Sequence, residues 1–402
     1  MIDRLGQNLF LPTVLFGFAF FAAANESKLP ADARLLIGYL PYVSLLLVAV
    51  IASTFNRGRS LLAASFALGI LLAEQYTLKL TMLPPLMLVV IPLNMALLAW
   101  LPERGTLTAG GVFRIIIILS QAFALFYLAL NFTPQVSPWF LVEFVPSWPE
   151  HVNPSQPAAI VSLITLSLTL LASYFSSTPI NQSLFATNIG LVAILFFNLS
   201  EATENAFMFT IALVLAIGLL RDYYNMAYRD ELTGLPQRRA LNESMTALSG
   251  KYCIAMLDVD HFKKFNDTHG HDVGDQVLQM VAAQIRKVQG GGKAYRYGGE
   301  EFTVVFNNKT VDDAIYFLDQ VRKNIEEYEM VIRNEERPTE EDQGNKKSRQ
   351  RGSFRKADKK VSVTISIGVC ERARGEQSDQ VLKQADQALY KAKKGGRNRV
   401  ST

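Results

Sequence analysis

The sequence predicts an α-helical multi-span membrane domain followed by an α/β domain whose central sheet is flanked by helices. The prediction rests on a change of character along the chain. Half of the 402 residues are hydrophobic, and up to residue 220 they form long apolar runs with few charges. From Arg221 onward the chain is charged and alternates between short elements and glycine-rich turns. We therefore predict a membrane domain over 1–220, a short signalling linker over 221–229 and a second domain over 230–402.

Eight apolar segments in the first part are each close to the roughly 20 residues that a spanning helix needs. They lie at about 8–24, 35–54, 61–78, 80–101, 112–131, 159–175, 183–199 and 204–220. Pro84-Pro85 interrupts the fourth segment, so seven spans are the alternative. A cleaved signal peptide is disfavoured because the first segment lacks a strongly basic start. A soluble helical domain is disfavoured by the number of successive apolar runs.

Loop charge predicts the orientation, because basic residues concentrate on the cytoplasmic side. With eight spans, the strongly basic loops share one side with both chain ends, whereas the loop at 132–158 has no Lys or Arg. Lys28 and Arg34 fall on the opposite side, where Glu26 and Asp32 offset them in part. We predict a multi-pass membrane protein, with the lipid bilayer as a partner and both ends in the cytoplasm.

The second part predicts alternating strands and helices. Strands are expected at Tyr252–Val259 and Val361–Val369, and helices at 273–288, 311–328 and 378–394. Tyr295–Tyr297 and Phe302–Phe306 flank Gly298-Gly299, a pattern typical of a β-hairpin. Cys253 and Cys370 lie in apolar runs, and a disulfide between them is not expected in a reducing cytosol.

Three acidic residues fall at the ends of these elements. Asp258 ends the first strand, and Glu300 and Glu301 occupy the hairpin tip. Phosphoryl transfer needs carboxylates that hold Mg²⁺ (or Mn²⁺) against phosphate oxygens and a group that takes a proton from the attacking hydroxyl. Taken alone, Gly298-Gly299-Glu300-Glu301 is also consistent with an ordinary hairpin that has a solvated tip. Asp258-Val259-Asp260 alone is equally weak evidence for a site.

Five motifs in order resemble one family. They are Asp230–Leu235 (DELTGL), Asp258–Lys263 (DVDHFK), Asn266–Asp275 (NDTHGHDVGD), Arg296–Phe302 (RYGGEEF) and Ala388–Asn398 (ALYKAKKGGRN). Over about 228–400 the chain resembles the GGDEF-domain diguanylate cyclases, in the GGEEF form. The resemblance implies a nucleotidyl-cyclase-like fold. It also implies an enzyme activity that condenses two GTP molecules into cyclic di-GMP.

The resemblance also implies residue roles. The expected metal ligands are Asp258, the carbonyl of Val259, Glu301 and, in part, Glu300. Glu300 is the expected general base, although two adjacent glutamates leave this division open. The remaining residues are expected to bind substrate: Asn266 and Asp275 at the guanine, His271 near the nucleoside, and His261, Phe262, Lys263, Lys393 and Arg397 at the phosphates.

Two positions depart from the family pattern. The family's product-inhibition motif is Arg-x-x-Asp, and here Gln289 and Gly292 stand at its two ends. We therefore expect no inhibitory site there. Gln237 stands where Asn is common, and we expect this change to have little effect.

Residues 333–360 are highly charged and almost free of apolar residues, which predicts a disordered insertion. Its function is open between a solvated loop and a basic contact with anionic lipid.

The cyclic product is two-fold symmetric, and one domain supplies one guanine-reading pair. We therefore expect a homodimer formed through the catalytic domains and the membrane domain, with GTP as substrate and no nucleic-acid partner. The main alternative is a catalytically silent module that binds GTP or cyclic di-GMP. Two others are a cyclase of altered base choice and a transporter regulated by its soluble domain.

Overall fold

The computed structural model describes residues 2–28, 30–76, 82–145, 155–332 and 359–402. Contacts divide the chain into two compact units, Met1–Tyr223 and Tyr224–Thr402. The two units are described separately below.

The elements described in the first unit are helices joined by loops. Its helices are α1 (Ile2–Ala24), α2 (Ala31–Thr54), α3 (Gly58–Tyr76), α4 (Leu83–Trp100), α5 (Ala109–Asn131), α6 (Thr133–Phe140), α7 (Gln156–Phe175), α8 (Pro179–Phe196) and α9 (Glu201–Tyr228). A helix occupies each of the eight predicted positions. The short helix α6 was not predicted and lies within the region that the sequence assigned to a loop.

Six of these helices are long and apolar enough to cross a membrane. They are α2, α4, α5, α7, α8 and α9. Helices α1 and α3 contain shorter apolar stretches, Phe10–Ala24 and Gly58–Ala73. The described residues therefore contain six candidate spans, and the count of seven or eight stays a prediction.

Two paired arginines lie at the junction of α2 and α3: Arg59 is buried and Arg57 is half-buried. Arg59 pairs with Glu103 (Nε to Oε2, 3.0 Å) and donates from Nη1 to Oδ1 of Asn181 at 2.8 Å. Arg57 pairs with Asp222 on α9 at 2.6 Å. Because a buried charge is costly unless it is paired, these contacts fix how α2, α3, α8 and α9 meet.

The second unit is an α/β domain. Its elements are α10 (Arg238–Thr246), β1 (Tyr252–Val259), α11 (Phe262–His269), α12 (His271–Ile285), β2 (Lys293–Gly298), β3 (Glu301–Asn307), α13 (Val311–Glu326), β4 (Met330–Ile332), β5 (Lys359–Val361), β6 (Ile365–Glu371), α14 (Ser378–Lys394) and β7 (Val400–Ser401).

The central sheet has the strand order β2-β3-β1-β6-β7, antiparallel except for the β6–β7 pair. Every residue of β1 is buried. Residues of α12 and α13 join one hydrophobic core with the sheet, and residues of α10 and α14 pack with the sheet's other side chains. A strand covered on both faces reads as a continuous apolar run, which explains why β1 was predicted to the residue. The predicted mixed sheet flanked by helices is confirmed.

The predicted strand Val361–Val369 is wrong. Two strands replace it: β5 pairs with β4 in a separate two-stranded sheet, and β6 pairs with β1. The apolar alternation begins at Val361, the last residue of β5, and continues into β6, so composition does not show that the chain changes partner between Val361 and Ile365. The predicted disordered insertion covers 333–360. Residues 333–358 lie outside the described residues, and β4 and β5 flank them. Lys359 and Lys360 belong to β5, so the prediction is wrong for these two residues.

Cys253 and Cys370 are both free thiols, as expected.

Candidate active site

Asp258 and Glu301 lie directly opposite each other on neighbouring strands. They are Cα partners in the β1–β3 register, Asp258 near the end of β1 and Glu301 at the start of β3. Directly opposed residues of an antiparallel pair project to the same face of the sheet. The fold therefore brings together two carboxylates that are 43 residues apart in the chain.

Glu300 lies in the hairpin turn immediately before β3. The preceding residue, Gly299, has a φ of +53°, a conformation that glycine adopts without strain. The backbone N–H of Val259 donates to the carbonyl of Glu300 at 3.4 Å, so the turn lies against the end of β1.

Lys393, in the last turn of α14, completes the charged cluster. Its Nζ lies 2.8 Å from Oδ2 of Asp258, whose side chain is only 7% exposed. Arg397 follows α14 in a left-handed conformation (φ +63°), and its charge acts to lower the pKa of Asp258. The structure thus places Lys393 in contact with Asp258 and Arg397 in the turn that follows α14.

The pKa values of all three carboxyl groups are raised. Burial raises the pKa of Asp258 and outweighs the opposing effect of Lys393. Burial and then the charge of Asp258 raise the pKa of Glu300 and of Glu301. Acids crowded together in this way are stabilised by a cation.

Asp260, which was not assigned a role from the sequence, is a buried anchor. Its carboxylate accepts from Oγ1 of Thr364 (2.7 Å), Oγ of Ser366 (2.6 Å) and the backbone N–H of Asn398 (3.1 Å). Asp260 therefore joins β1 and the start of β6 to the turn that carries Arg397.

Helices α11 and α12 hold the predicted guanine-reading residues. Asn266 is half-buried on α11, and Asp275 is exposed on α12. A Cβ built on Gly274 would overlap Oδ1 of Asn266, so the two helices approach this closely only with glycine at 274. No donor among the described residues reaches this buried Oδ1 atom.

The other predicted substrate residues differ in exposure. His261 has a φ of +57° and precedes α11. The side chain of Phe262 is buried in the core, so only its backbone is available to a ligand. Lys263 and His271 are exposed.

The donor set fits a Mg²⁺ or Mn²⁺ ion that is shared with a substrate. Within the described ranges, no group of three His, Cys, Asp or Glu side chains forms a complete metal site. Mg²⁺ is commonly bound through one or two carboxylates and substrate phosphates rather than by a protein cage. The pair Asp258 and Glu301, with a neighbouring backbone carbonyl at Val259, is such a partial site.

The geometry defines an α/β domain with an acidic site suited to phosphoryl transfer. A family profile described as "Diguanylate cyclase, GGDEF domain" matches residues 227–342 and 340–399. This part of the chain belongs to the GGDEF-domain family.

Similar proteins match the same part of the chain. The diguanylate cyclase VdcA of Vibrio cholerae is 35% identical over 175 residues, 42% of this chain and 45% of that protein. Diguanylate cyclase A of Treponema denticola is 37% identical over 150 residues, 37% of this chain and 34% of that protein. The chain thus spans less than half the length of these curated relatives.

Among solved structures, the coiled coil and GGDEF domain of DgcB from Caulobacter crescentus in complex with c-di-GMP is 32% identical. The match covers 45% of this chain and 88% of that chain, with a TM-score of 0.38.

Proposed function

We propose that the protein is a membrane-bound diguanylate cyclase that condenses two GTP molecules into cyclic di-GMP and releases pyrophosphate. The observation that carries this proposal is the pairing of Asp258 with Glu301 across β1 and β3, with Glu300 beside them. Named diguanylate cyclases among the relatives support it.

In the proposed reaction, Glu300 accepts the proton of a ribose 3′-hydroxyl. The 3′-oxygen forms a bond to the α-phosphorus of the other GTP, and the bond from that phosphorus to the bridging oxygen of pyrophosphate breaks. A general base works best when its pKa approaches the working pH, and the raised pKa of Glu300 is in that direction.

Asp258, Glu301 and the carbonyl of Val259 would hold Mg²⁺ or Mn²⁺, which when bound neutralises charge on the phosphates. Lys393 and Arg397 would bind the triphosphate, together with Lys263 and the backbone at His261 and Phe262. In this proposal Lys393 exchanges its contact with Asp258 for phosphate oxygens when GTP and the metal bind.

Asn266 and Asp275 would read the guanine, with the Asp275 carboxylate accepting from N1–H and the exocyclic amine. His271, exposed at the start of α12, would lie near the nucleoside. This choice of base disfavours a cyclase that makes an adenine-containing product.

Two catalytic domains are required in this proposal, because each supplies one guanine-reading pair and the product contains two guanines. Each 3′-hydroxyl must meet the α-phosphate held by the other domain. We propose a homodimer in an inner membrane, with the catalytic domain in the cytoplasm and the membrane unit modulating its activity.

The test is product analysis with the full-length protein in lipid nanodiscs. Incubation with GTP and Mg²⁺ should yield cyclic di-GMP and two equivalents of pyrophosphate, and a chelator should abolish the reaction. Bound GTP without turnover would support the silent module instead. A mixed dinucleotide formed when ATP is added would overturn the assignment of base choice.

A further inference from the structure

The side chain and the backbone N–H of Gln237 both bond to the C-terminal end of helix α9. Its Nε2 donates to the carbonyl of Ala227 at 2.5 Å and to that of Met226 at 3.4 Å. Its backbone N–H donates to the carbonyl of Tyr228 at 2.8 Å. The last carbonyls of a helix have no partner within the helix, so Gln237 satisfies three of them at once.

The same residue is joined to the strand that leads into the hairpin turn. Gln237 forms a parallel bridge with Arg296 of β2. The backbone N–H of Arg296 donates to the carbonyl of Pro236 at 2.8 Å. A displacement of Gln237 would therefore also move the backbone of Arg296.

The side chain of Arg296 continues this connection to the hairpin tip. Its Nη2 and Nε donate to the carbonyl of Gly299 at 2.7 and 3.2 Å. This carbonyl belongs to the peptide bond between Gly299 and Glu300. The guanidinium therefore fixes the orientation of the peptide plane that leads to the Cα of Glu300. Glycine restricts its own backbone less than other residues do, so the contact with the guanidinium supplies a restraint that Gly299 itself lacks.

Asp230 restrains the guanidinium of Arg296. Nη1 of Arg296 lies 2.6 Å from its Oδ1, which also accepts from the N–H and Oγ1 of Thr233 at 2.8 and 2.7 Å. Burial opposes ionisation, but the bonds from Thr233 and Arg296 outweigh it and lower the pKa of Asp230. Asp230 therefore stays charged near neutral pH and restrains the guanidinium, which is only 13% exposed.

We propose that Gln237 and Arg296 are positioning residues that connect the C-terminal end of α9 to the peptide bearing Glu300. The inference rests on the proposed function, because its kinetic consequence requires Glu300 to be the base. A shift at the end of α9 then changes the rate of the chemical step without changing the affinity for GTP. This revises the expectation that the residue type at 237 has little effect.

Two substitutions test the two joints of this connection. Gln237→Glu keeps the shape but places a carboxylate against two carbonyls in place of a donor. Arg296→Lys keeps the charge beside Asp230 but cannot hold both that carboxylate and the Gly299 carbonyl.

Matched controls are available elsewhere in the domain. Gln320→Glu changes an exposed glutamine on α13. Arg372→Lys changes an arginine that also bonds backbone carbonyls, those of Gly250 and Glu376 (2.8 and 2.9 Å). Arg372 lies at the opposite end of β1 from Asp258, since its N–H donates to the carbonyl of Tyr252.

The experiment measures kcat and KM for GTP, and hydrogen exchange of residues 298–301, in full-length protein in nanodiscs. We expect each of the two variants to lower kcat about tenfold, since displacing a reacting group by less than 1 Å costs up to about a hundredfold. KM and both control variants should stay within twofold of the parent. In the Arg296→Lys background, Gln237→Glu should add less than a twofold loss, because both act on the same contact.

Hydrogen exchange separates this inference from the proposed function. Exchange at 298–301 in nucleotide-free protein should be faster in both test variants and unchanged in both controls. If the parent made no cyclic di-GMP, the proposed function would fail, and the exchange data alone would still decide whether the connection exists. Unchanged hydrogen exchange at 298–301 in the two test variants would overturn the inference. So would additive losses of kcat in the double variant accompanied by a raised KM.

Discussion

The backbone N–H of Asn398 donates to Oδ2 of Asp260 across 138 residues of sequence, at 3.1 Å. This bond ties the turn that follows α14 to the end of β1. Asn398 has a φ of +46°, and its side chain also bonds Arg322 and Glu326 of α13. The turn that carries Arg397 is therefore held from two sides.

Asp260→Asn should destabilise the catalytic unit by about 3 kcal/mol, because the amide replaces one of the two oxygen acceptors and a hydrogen bond to a buried charged group contributes about 1.5–3 kcal/mol. Pulse proteolysis in urea on the full-length protein measures this change. Asp312→Asn, at an exposed position on α13, is the control. An unchanged midpoint would show that the three bonds contribute little.

Glu300→Gln should lower the rate of cyclic di-GMP formation by about 10²–10⁴-fold, the usual contribution of a general base. The amide keeps the shape of the side chain, so GTP binding measured with a fluorescent analogue should be retained. Glu327→Gln, at an exposed position beyond α13, should behave as the parent. Turnover at the parental rate in Glu300→Gln would contradict the assigned base.

Glu301→Gln should abolish metal-dependent turnover yet stabilise the metal-free protein at neutral pH. A carboxyl group whose pKa is raised by folding binds protons more readily in the native state, so its contribution to stability is lost as pH rises through the raised pKa. The charge of Glu301 therefore destabilises the native state above that range. Pulse proteolysis at pH 5 and pH 8 without metal should show the parent losing stability toward pH 8 more than the variant. A larger loss in the variant would give the wrong sign.

Gly274→Ala should raise KM for GTP by about tenfold or more with a smaller change in kcat. The added Cβ would overlap Oδ1 of Asn266 and displace the amide from its place on α11. Gly250→Ala affects a glycine with open space around it but a φ of +69°, so it reports the cost of backbone strain alone. Equal effects of the two substitutions on KM would argue against a specific role of Gly274.

Added cyclic di-GMP should barely slow turnover, because Gln289 and Gly292 lack the charges that would bind its phosphates and bases. A Cβ on Gly292 would lie 2.7 Å from the ring of Phe306, so Gly292→Asp should not restore a site without disturbing the core. Initial rates across a range of product concentrations measure the effect. Strong non-competitive inhibition at low micromolar product would contradict it.

Sequence patterns predicted the long, periodic or wholly buried elements. The bounds of β1 and α14 match the prediction to the residue, because one is a continuous buried run and the other has a regular apolar stripe. Helices α10 and α11 were missed, since eight or nine residues are shorter than the window of 11–18 residues over which helical periodicity can be recognised.

The arrangement of the site could be predicted only in part. Motifs identified Asp258, Glu300 and Glu301, but not the register that sets Asp258 opposite Glu301. Sequence also does not reveal that Arg296 reaches Gly299, since a side-chain contact across a turn depends on the bulge between Arg296 and Gly298. The arginine before the two glycines was the available signal.

The β4–β5 pair brings residues 332 and 359 together as strand partners. Because strand pairing holds the two ends of the intervening segment together, the length of the segment has little effect on the stability of the domain. Each doubling of its length costs only about 0.6 kcal/mol in loop-closure free energy. This segment is therefore suited to the insertion of another domain. A fluorescent protein inserted there could report on the state of this domain. Alternatively, a two-residue turn could replace the segment, and neither change would alter the acidic site.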